Sequence, residues 1–307
     1  MTHKKIIITG GTGFIGKTLT QRLVDKGFQV VILTRRPESV KSDYNSVKLV
    51  KWDGKNVTDW ADEIENAMAI INLAGASIAG SIWTKSYKKL ILQSRINAGQ
   101  AIVSAIRTAK NPPEVIIQPS GIGYYGSRGD DILSETASAG SGFLADIAQK
   151  WEACIDGVTE KSVRLIKLRI GLVLGKGGGF LSLAKLPFYF FIGGHLGSGK
   201  QWLSWIHLED LVNAIIYLVE NKNSKGVFNL ASPQPEKARE FFKTLGEVIH
   251  RPSWLHVPEF ALRLLMGEMA QELLLSSQRV IPERLLSSDF QFKFGELKSA
   301  FQNILLN

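Results

Sequence analysis

One cysteine in 307 residues, Cys154, excludes an intramolecular disulfide, and with it the stapled architecture of small secreted domains. Set in a helical stretch after Trp151 and Glu152, it reads as a buried structural thiol rather than a nucleophile. Long apolar runs are missing too. The most apolar stretch, 181–194, is interrupted by Lys185 and Pro187 and falls short of the ~20 residues that span a bilayer. The opening MTHKKIIITGG has only three consecutive apolar residues before a glycine turn, so it reads as a strand and not a signal peptide. A cytoplasmic protein with no membrane partner is expected. Histidine is scarce: His3, His195, His250 and His256 lack ligand spacing with each other or with acids, and no metal site is expected. His207 reads as structural, with Asp210 capping the helix that follows. The net charge of +9 raises nucleic acid as a partner, but no run of like charge reaches five. A phosphate-backbone binder concentrates its basic face, so no nucleic-acid partner is expected.

What the chain does contain is rhythm. Strand-like runs at Lys5–Thr9, Gln29–Thr34, Val47–Trp52, Ala69–Leu73, Glu114–Pro119 and Val163–Leu174 alternate with helical patterns. The helical patterns include Lys17–Lys26, Trp60–Ala67, Lys85–Thr108 and Gly142–Asp156. That alternation predicts an α/β fold, a doubly wound parallel Rossmann sheet with helices on both faces. After Gly175 glycine-rich turns precede a helix at Leu208–Glu220, a strand at Gly226–Ala231 and helical stretches near Glu236–Ile249, Pro258–Leu275 and Glu296–Leu305. The expected partition is a Rossmann domain over 1–175 and a smaller, mainly helical substrate lobe over 176–307. Late strands from 205–232 return to the Rossmann sheet. The run Leu181–Ile192, with its phenylalanines, lines an apolar substrate cavity, fills core or forms an oligomer surface.

Gly10-Gly11-Thr12-Gly13-Phe14-Ile15-Gly16 stands directly after the first strand and opens a helix. Alone the motif is weak; between a strand and a helix it is specific. Gly11 and Gly13 permit the tight turn and the approach of a pyrophosphate, and Gly16 permits close helix–strand packing. The pyrophosphate then meets unpaired N–H groups at the positive end of the helix. After the second strand an NAD protein usually places an acid for the ribose 2′-hydroxyl. Here Thr34-Arg35-Arg36 follows instead, which suits the 2′-phosphate of NADP and makes NAD the less favoured cofactor. Asp53 is placed for the adenine amino group. Leu73, Ala74 and Gly75 end the fourth strand, where small residues let the backbone pass under the nicotinamide ribose.

GGTGFIG, LTRR, WDG, NLAG, PSGIGYYG, RIGLVLG, WIHLEDL and FNLASP together resemble the extended short-chain dehydrogenase/reductases. The sequence is similar above all to their atypical branch of "epimerase family" proteins. The stretch PEFALRLLMGEMAQELLLSSQRVIPERLL, within 252–307, resembles that branch's small C-terminal domain. The resemblance implies a nicotinamide dinucleotide more firmly than it implies a reaction. Most of the superfamily pairs a Tyr with a Lys four residues later, the Lys lowering the phenol pKa for proton transfer. The helix Gly142–Glu152 holds no tyrosine: one register pairs Asp146 with Lys150, another Leu144 with Ala148. Lys150 reads as an exposed helical lysine. Ser120, Tyr124 and Tyr125, just beyond a strand's carboxyl end, are the remaining candidates for chemistry. Either they supply a proton donor or they pack the pocket wall. Two functions follow: an NADP-dependent oxidoreductase or epimerase acting on a small molecule, as a monomer or homodimer, or a non-catalytic NADP(H)-binding redox sensor.

Overall fold

The computed structural model describes residues 4–39 and 46–306. Five strands pair in parallel: β1 (Lys5–Thr9), β2 (Gln29–Thr34), β3 (Val47–Lys51), β4 (Ala69–Asn72) and β5 (Val115–Gly121). With Arg164–Ile170 and Gly226–Leu230 they make a seven-stranded parallel sheet. Its order is Gly226–Leu230, Arg164–Ile170, β5, β4, β1, β2, β3. Ile6, Ile7 and Ile8 are fully buried, as a parallel strand covered on both faces requires. The chain winds outward from β1 to β3, then crosses back to β4. Strand order therefore reverses between β1 and β4, the crevice where doubly wound sheets bind ligands.

Helix α1 (Phe14–Asp25) follows β1, and helix α2 (Lys85–Thr108) joins β4 to β5. Thr84 caps α2 by accepting the Tyr87 N–H at 3.2 Å. One face of α2, including Ile102 and Ile106, packs with Ile7, Ile70, Ile116 and the Trp52–Trp60 pair in one buried cluster.

The described chain divides into two compact units interleaved along the sequence. The first holds the residues up to Ser120 with Gln149–Leu168 and Val212–Val227; the second holds Gly121–Ala148, Arg169–Leu211 and the described residues from Phe228 onward. The second has short sheets of its own. Leu172–Leu174 pairs in parallel with Trp205–His207, Trp202–Leu203 antiparallel with Glu236–Lys237, and Ile132–Leu133 in parallel with Arg279–Val280. Its core gathers Phe188, Phe241, Phe242, Leu297 and Phe301. Of the 181–192 run, Leu181 and Phe188 belong to this core, whereas Phe190, Phe191 and Ile192 are exposed.

Three expected elements come out differently. The single strand expected over Val163–Leu174 ends at Ile170 and resumes at Leu172 with a new partner. At Gly171 a side chain would stand 2.7 Å from the Ser204 carbonyl oxygen, and the Gly171 N–H donates to Leu230 O at 3.0 Å. Backbone crowding there requires glycine and redirects the chain. The expected helix Pro258–Leu275 breaks after Met266, because Gly267 takes φ +57°. Trp60–Ala67 is only a short 3₁₀ turn, Asp59–Ile64.

Candidate functional site

The first unit places the glycine turn at the reversal point. Thr9 pairs with Leu33 on one side and Asn72 on the other, so three strands end level with the turn. Gly10, at φ +67°, carries the left-handed conformation, and a side chain there would stand 2.7 Å from the Leu73 carbonyl oxygen. The tight turn thus falls on Gly10 rather than on Gly11. Gly11 is needed for packing, since its missing Cβ would press on Ile32 at 2.9 Å. Gly13 N–H closes the turn on Gly10 O at 3.0 Å. A Cβ on Gly16 would collide with Gly10 O and the Gly11 backbone, so α1 presses directly on the turn. Gly13 is different: it is exposed, and its Cβ would meet only Gly10 O, at 3.3 Å. It caps α1 without a side-chain acceptor, and the first turn, which includes Phe14 and Ile15, carries no acid. Neither the cap residue nor the first turn of α1 supplies an anion to its positive end. An uncapped helix start beside a glycine open to solvent fits a pyrophosphate, and Thr12 lies in the same turn.

A buried polar chain fixes the neighbouring loop. Thr9 Oγ1 donates to Asn72 Oδ1 at 2.7 Å, and Asn72 Nδ2 donates to Gln118 Oε1 at 2.9 Å. Thr9 Oγ1 also accepts the Ala74 N–H at 3.0 Å, and Leu73 N–H donates to Thr9 O at 3.1 Å. Beneath this loop lies Arg95 of α2, a residue sequence reasoning missed. Its signal was an arginine among the buried positions Ile91, Ala98 and Ile102.

Arg35 and Arg36 are exposed directly after β2. Asp53 lies after β3 but is engaged locally. Its Oδ1 accepts the Lys55 and Asn56 N–H groups at 2.9 Å, and its Oδ2 accepts Asn56 Nδ2 at 2.6 Å. The Asn56 and Lys55 amides hold its pKa below the usual carboxylate value. Ser120 is buried and donates to Glu152 Oε1 at 2.7 Å. Cys154 is half-buried, and burial pushes its thiol up to about 11, which leaves it unreactive at neutral pH.

The second unit holds the tyrosines on a 3₁₀ turn, Ile122–Tyr125. Tyr125 is fully buried, donates to Asn229 Oδ1 at 2.7 Å and accepts from Arg169 Nη1 at 3.1 Å. Burial raises its pKa. Tyr124 is half-buried, with the Arg169 guanidinium 3.3 Å from its ring centroid. Gly123 packs against Leu144, with room for no side chain (2.9 Å to Leu144 Cβ). Glu272 accepts the Phe143 and Leu144 N–H groups at 3.3 and 3.2 Å, capping the helix Phe143–Ala153 from 128 residues away. Lys150 is exposed. Arg169, Asn229 and Glu272 escaped sequence reasoning because the contacts that place them here are long-range.

His207 is buried and keeps its ring 3.9 Å from that of Phe294. Burial pushes its pKa to about 4, so it is neutral, and Nδ1 accepts the Glu209 N–H at 3.1 Å. The helix start is therefore capped by His207. Asp210, expected as the cap, instead accepts the Lys293 and Phe294 N–H groups, both at 2.9 Å. Among the described residues no His, Cys, Asp and Glu gather into a metal-binding group, and no helix is long and apolar enough to cross a membrane.

A parallel sheet whose first strand passes through a glycine turn into a helix at the reversal point defines a Rossmann dinucleotide-binding protein. Residues 6–231 match the model of the NAD dependent epimerase/dehydratase family, and residues 257–304 match a domain of unknown function, DUF1731. The chain is 38% identical over 305 residues to epimerase family protein SSP1921 of Staphylococcus saprophyticus, covering 98% of this chain and 99% of that one. A crystal structure of human epimerase family protein SDR39U1 with NADPH is 30% identical, with a TM-score of 0.87 over 99% of both chains. A nucleoside-diphosphate sugar epimerase from Corynebacterium glutamicum is 26% identical, with a TM-score of 0.78 over 99% of this chain and 58% of that one. The chain belongs to the NAD-dependent epimerase/dehydratase family.

Proposed function

We propose that this protein binds NADP(H) and is an oxidoreductase or epimerase acting on a small molecule. The observation that carries the reading is the uncapped, solvent-open glycine turn, with Arg35 and Arg36 at the same carboxyl edge of the sheet. The NADPH held by human SDR39U1 supports it. Gly10, Gly11, Thr12, Gly13, Phe14, Ile15 and Gly16 cradle the pyrophosphate. Arg35 and Arg36 take the 2′-phosphate, and the remaining lone pairs of Asp53 face the adenine amino group. Leu73, Ala74 and Gly75 pass under the nicotinamide ribose. When bound, NADPH supplies the hydride. Tyr124, the more accessible phenol, is the proton donor. Tyr125 and Arg169 hold it in place, and Ser120 acts through its bond to Glu152.

One observation favours a second reading, a non-catalytic NADP(H) sensor: the Ser120 hydroxyl is engaged by Glu152, and the helix Phe143–Ala153 contains no phenol. A broad screen of carbonyl compounds for NADPH oxidation separates the two. Turnover that falls 10²–10⁴-fold in Tyr124→Phe supports the first. Tight NADPH binding without turnover of any compound supports the second.

A further inference from the structure

The second unit turns large apolar side chains outward along two of its segments. Phe190 is 74% and Phe191 55% exposed, and Trp254, Phe260, Leu264 and Leu265 stand between 67% and 84%. Hydrogen bonds lay the segments side by side. Trp254 Nε1 donates to Phe191 O at 3.0 Å, the Leu255 N–H to Gly193 O at 3.1 Å and the Val257 N–H to His195 O at 3.0 Å. Two residues later the helix Glu259–Met266 begins. The Phe190–Phe191 turn is built, not slack: their N–H groups donate to Pro187 O and Phe188 O at 3.1 and 3.0 Å. It sets Phe191 at φ +61°, a left-handed conformation that is costly for a bulky aromatic.

The helix, EFALRLLM, is apolar on every side, yet only Leu262 is buried. A helix hydrophobic all round is ordinarily covered. At about 150–250 Å² for a whole aromatic side chain, and toward the lower end for leucine, the six side chains together expose roughly 800 Å². That exceeds the ~300–600 Å² of the largest apolar patch on a typical monomer and matches the ~800 Å² that each partner gives to a standard interface. The charges beside the patch are of both signs. Glu259 pairs with Arg263 one turn on, and Glu268 follows. Two exposed acids oppose an anionic lipid surface. Two copies of the helix laid antiparallel about a two-fold axis, by contrast, bring Glu259 of one beside Arg263 of the other. The patch then complements itself.

We propose that this face of the second unit binds a second copy of the chain. The homodimer is two-fold, built on an antiparallel pair of the helices Glu259–Met266 and flanked by the Phe190–Phe191 turns.

Sedimentation equilibrium of the full chain tests it, with circular dichroism checking that each variant is folded. Wild type should be dimeric at about 10 μM. Leu264→Asp sets a charge on a side chain that the dimer buries, and should weaken association about a hundredfold or more. Glu259→Arg alone and Arg263→Glu alone put like charges across the two-fold axis, and each should weaken it about tenfold. An equimolar mixture of those two should recover a mixed dimer near wild-type affinity, since each copy then faces opposite charge. The mixture also serves if Leu264→Asp fails to fold. Wild type that stays monomeric at about 100 μM overturns the proposal. So does undiminished association in Leu264→Asp, or a mixture as weak as its components. Monomeric wild type that pellets with phosphatidylcholine–phosphatidylserine vesicles, when Leu264→Asp does not, would give the face to a membrane and overturn the dimer.

Discussion

The Tyr125 phenol donates to Asn229 Oδ1 at 2.7 Å across 104 residues of sequence, and both side chains are completely buried. Asn229 also donates from Nδ2 to Ile281 O at 2.9 Å, and its N–H donates to Glu135 Oε1 at 3.0 Å. Tyr125 is thereby a structural phenol that joins the turn bearing Tyr124 to the C-terminal segment.

Its removal should register in stability. Tyr125→Phe leaves Asn229 Oδ1 without that donor and takes one acceptor from Arg169, at a cost of about 1–3 kcal/mol in chemical denaturation. Tyr124→Phe should leave stability nearly unchanged and, on any substrate found, abolish most turnover. Lys150→Ala should alter neither. A large rate loss in Lys150→Ala with Tyr124→Phe unharmed would reverse the assignment.

Two glycines of one turn should respond differently. Gly13→Val should fold, because a Cβ meets only Gly10 O at 3.3 Å, yet the branched side chain fills the open side and should block dinucleotide binding. Gly10→Ala should unfold at clearly lower denaturant, through strain at φ +67° and contact with Leu73 O. Wild-type affinity in Gly13→Val would reduce the turn to a structural element.

His207 predicts a pH dependence. Its folded pKa is lowered from 6.5 to about 4 by burial. Between those values the unfolded chain binds a proton that the folded protein refuses, so stability is full above 6.5 and falls as pH drops toward 4. At about 1.4 kcal/mol per pH unit the loss reaches roughly 3 kcal/mol across the window. His207→Asn, which keeps an acceptor for the Glu209 N–H, should remove that part of the slope. An identical pH profile in the variant would contradict the account.

The sheet and its glycine turn were legible because both are local: apolar strand runs, a glycine motif and an amphipathic helix lie within a few dozen residues. Helix Lys85–Thr108 was read to the residue. What escaped was long-range. Gly267 looked like a tolerable helix interior until its positive φ broke the segment, and Gly171 looked like mid-strand until Ser204 crowded it. Asp210 had cap chemistry, but two amides 83 and 84 residues away claimed its carboxylate. Arg95 read as one more helical arginine, since only the folded loop shows Gly75 lying over it.

The most direct measurement is a calorimetric titration of NADPH and NADH into wild type and Arg35→Ala. NADPH should bind wild type tighter than NADH by roughly ten- to a hundredfold, the worth of a charged 2′-phosphate contact at about 1.5–3 kcal/mol. Arg35→Ala should erase most of that difference while leaving NADH affinity unchanged. Equal affinities for the two dinucleotides in wild type would contradict the NADP(H) assignment.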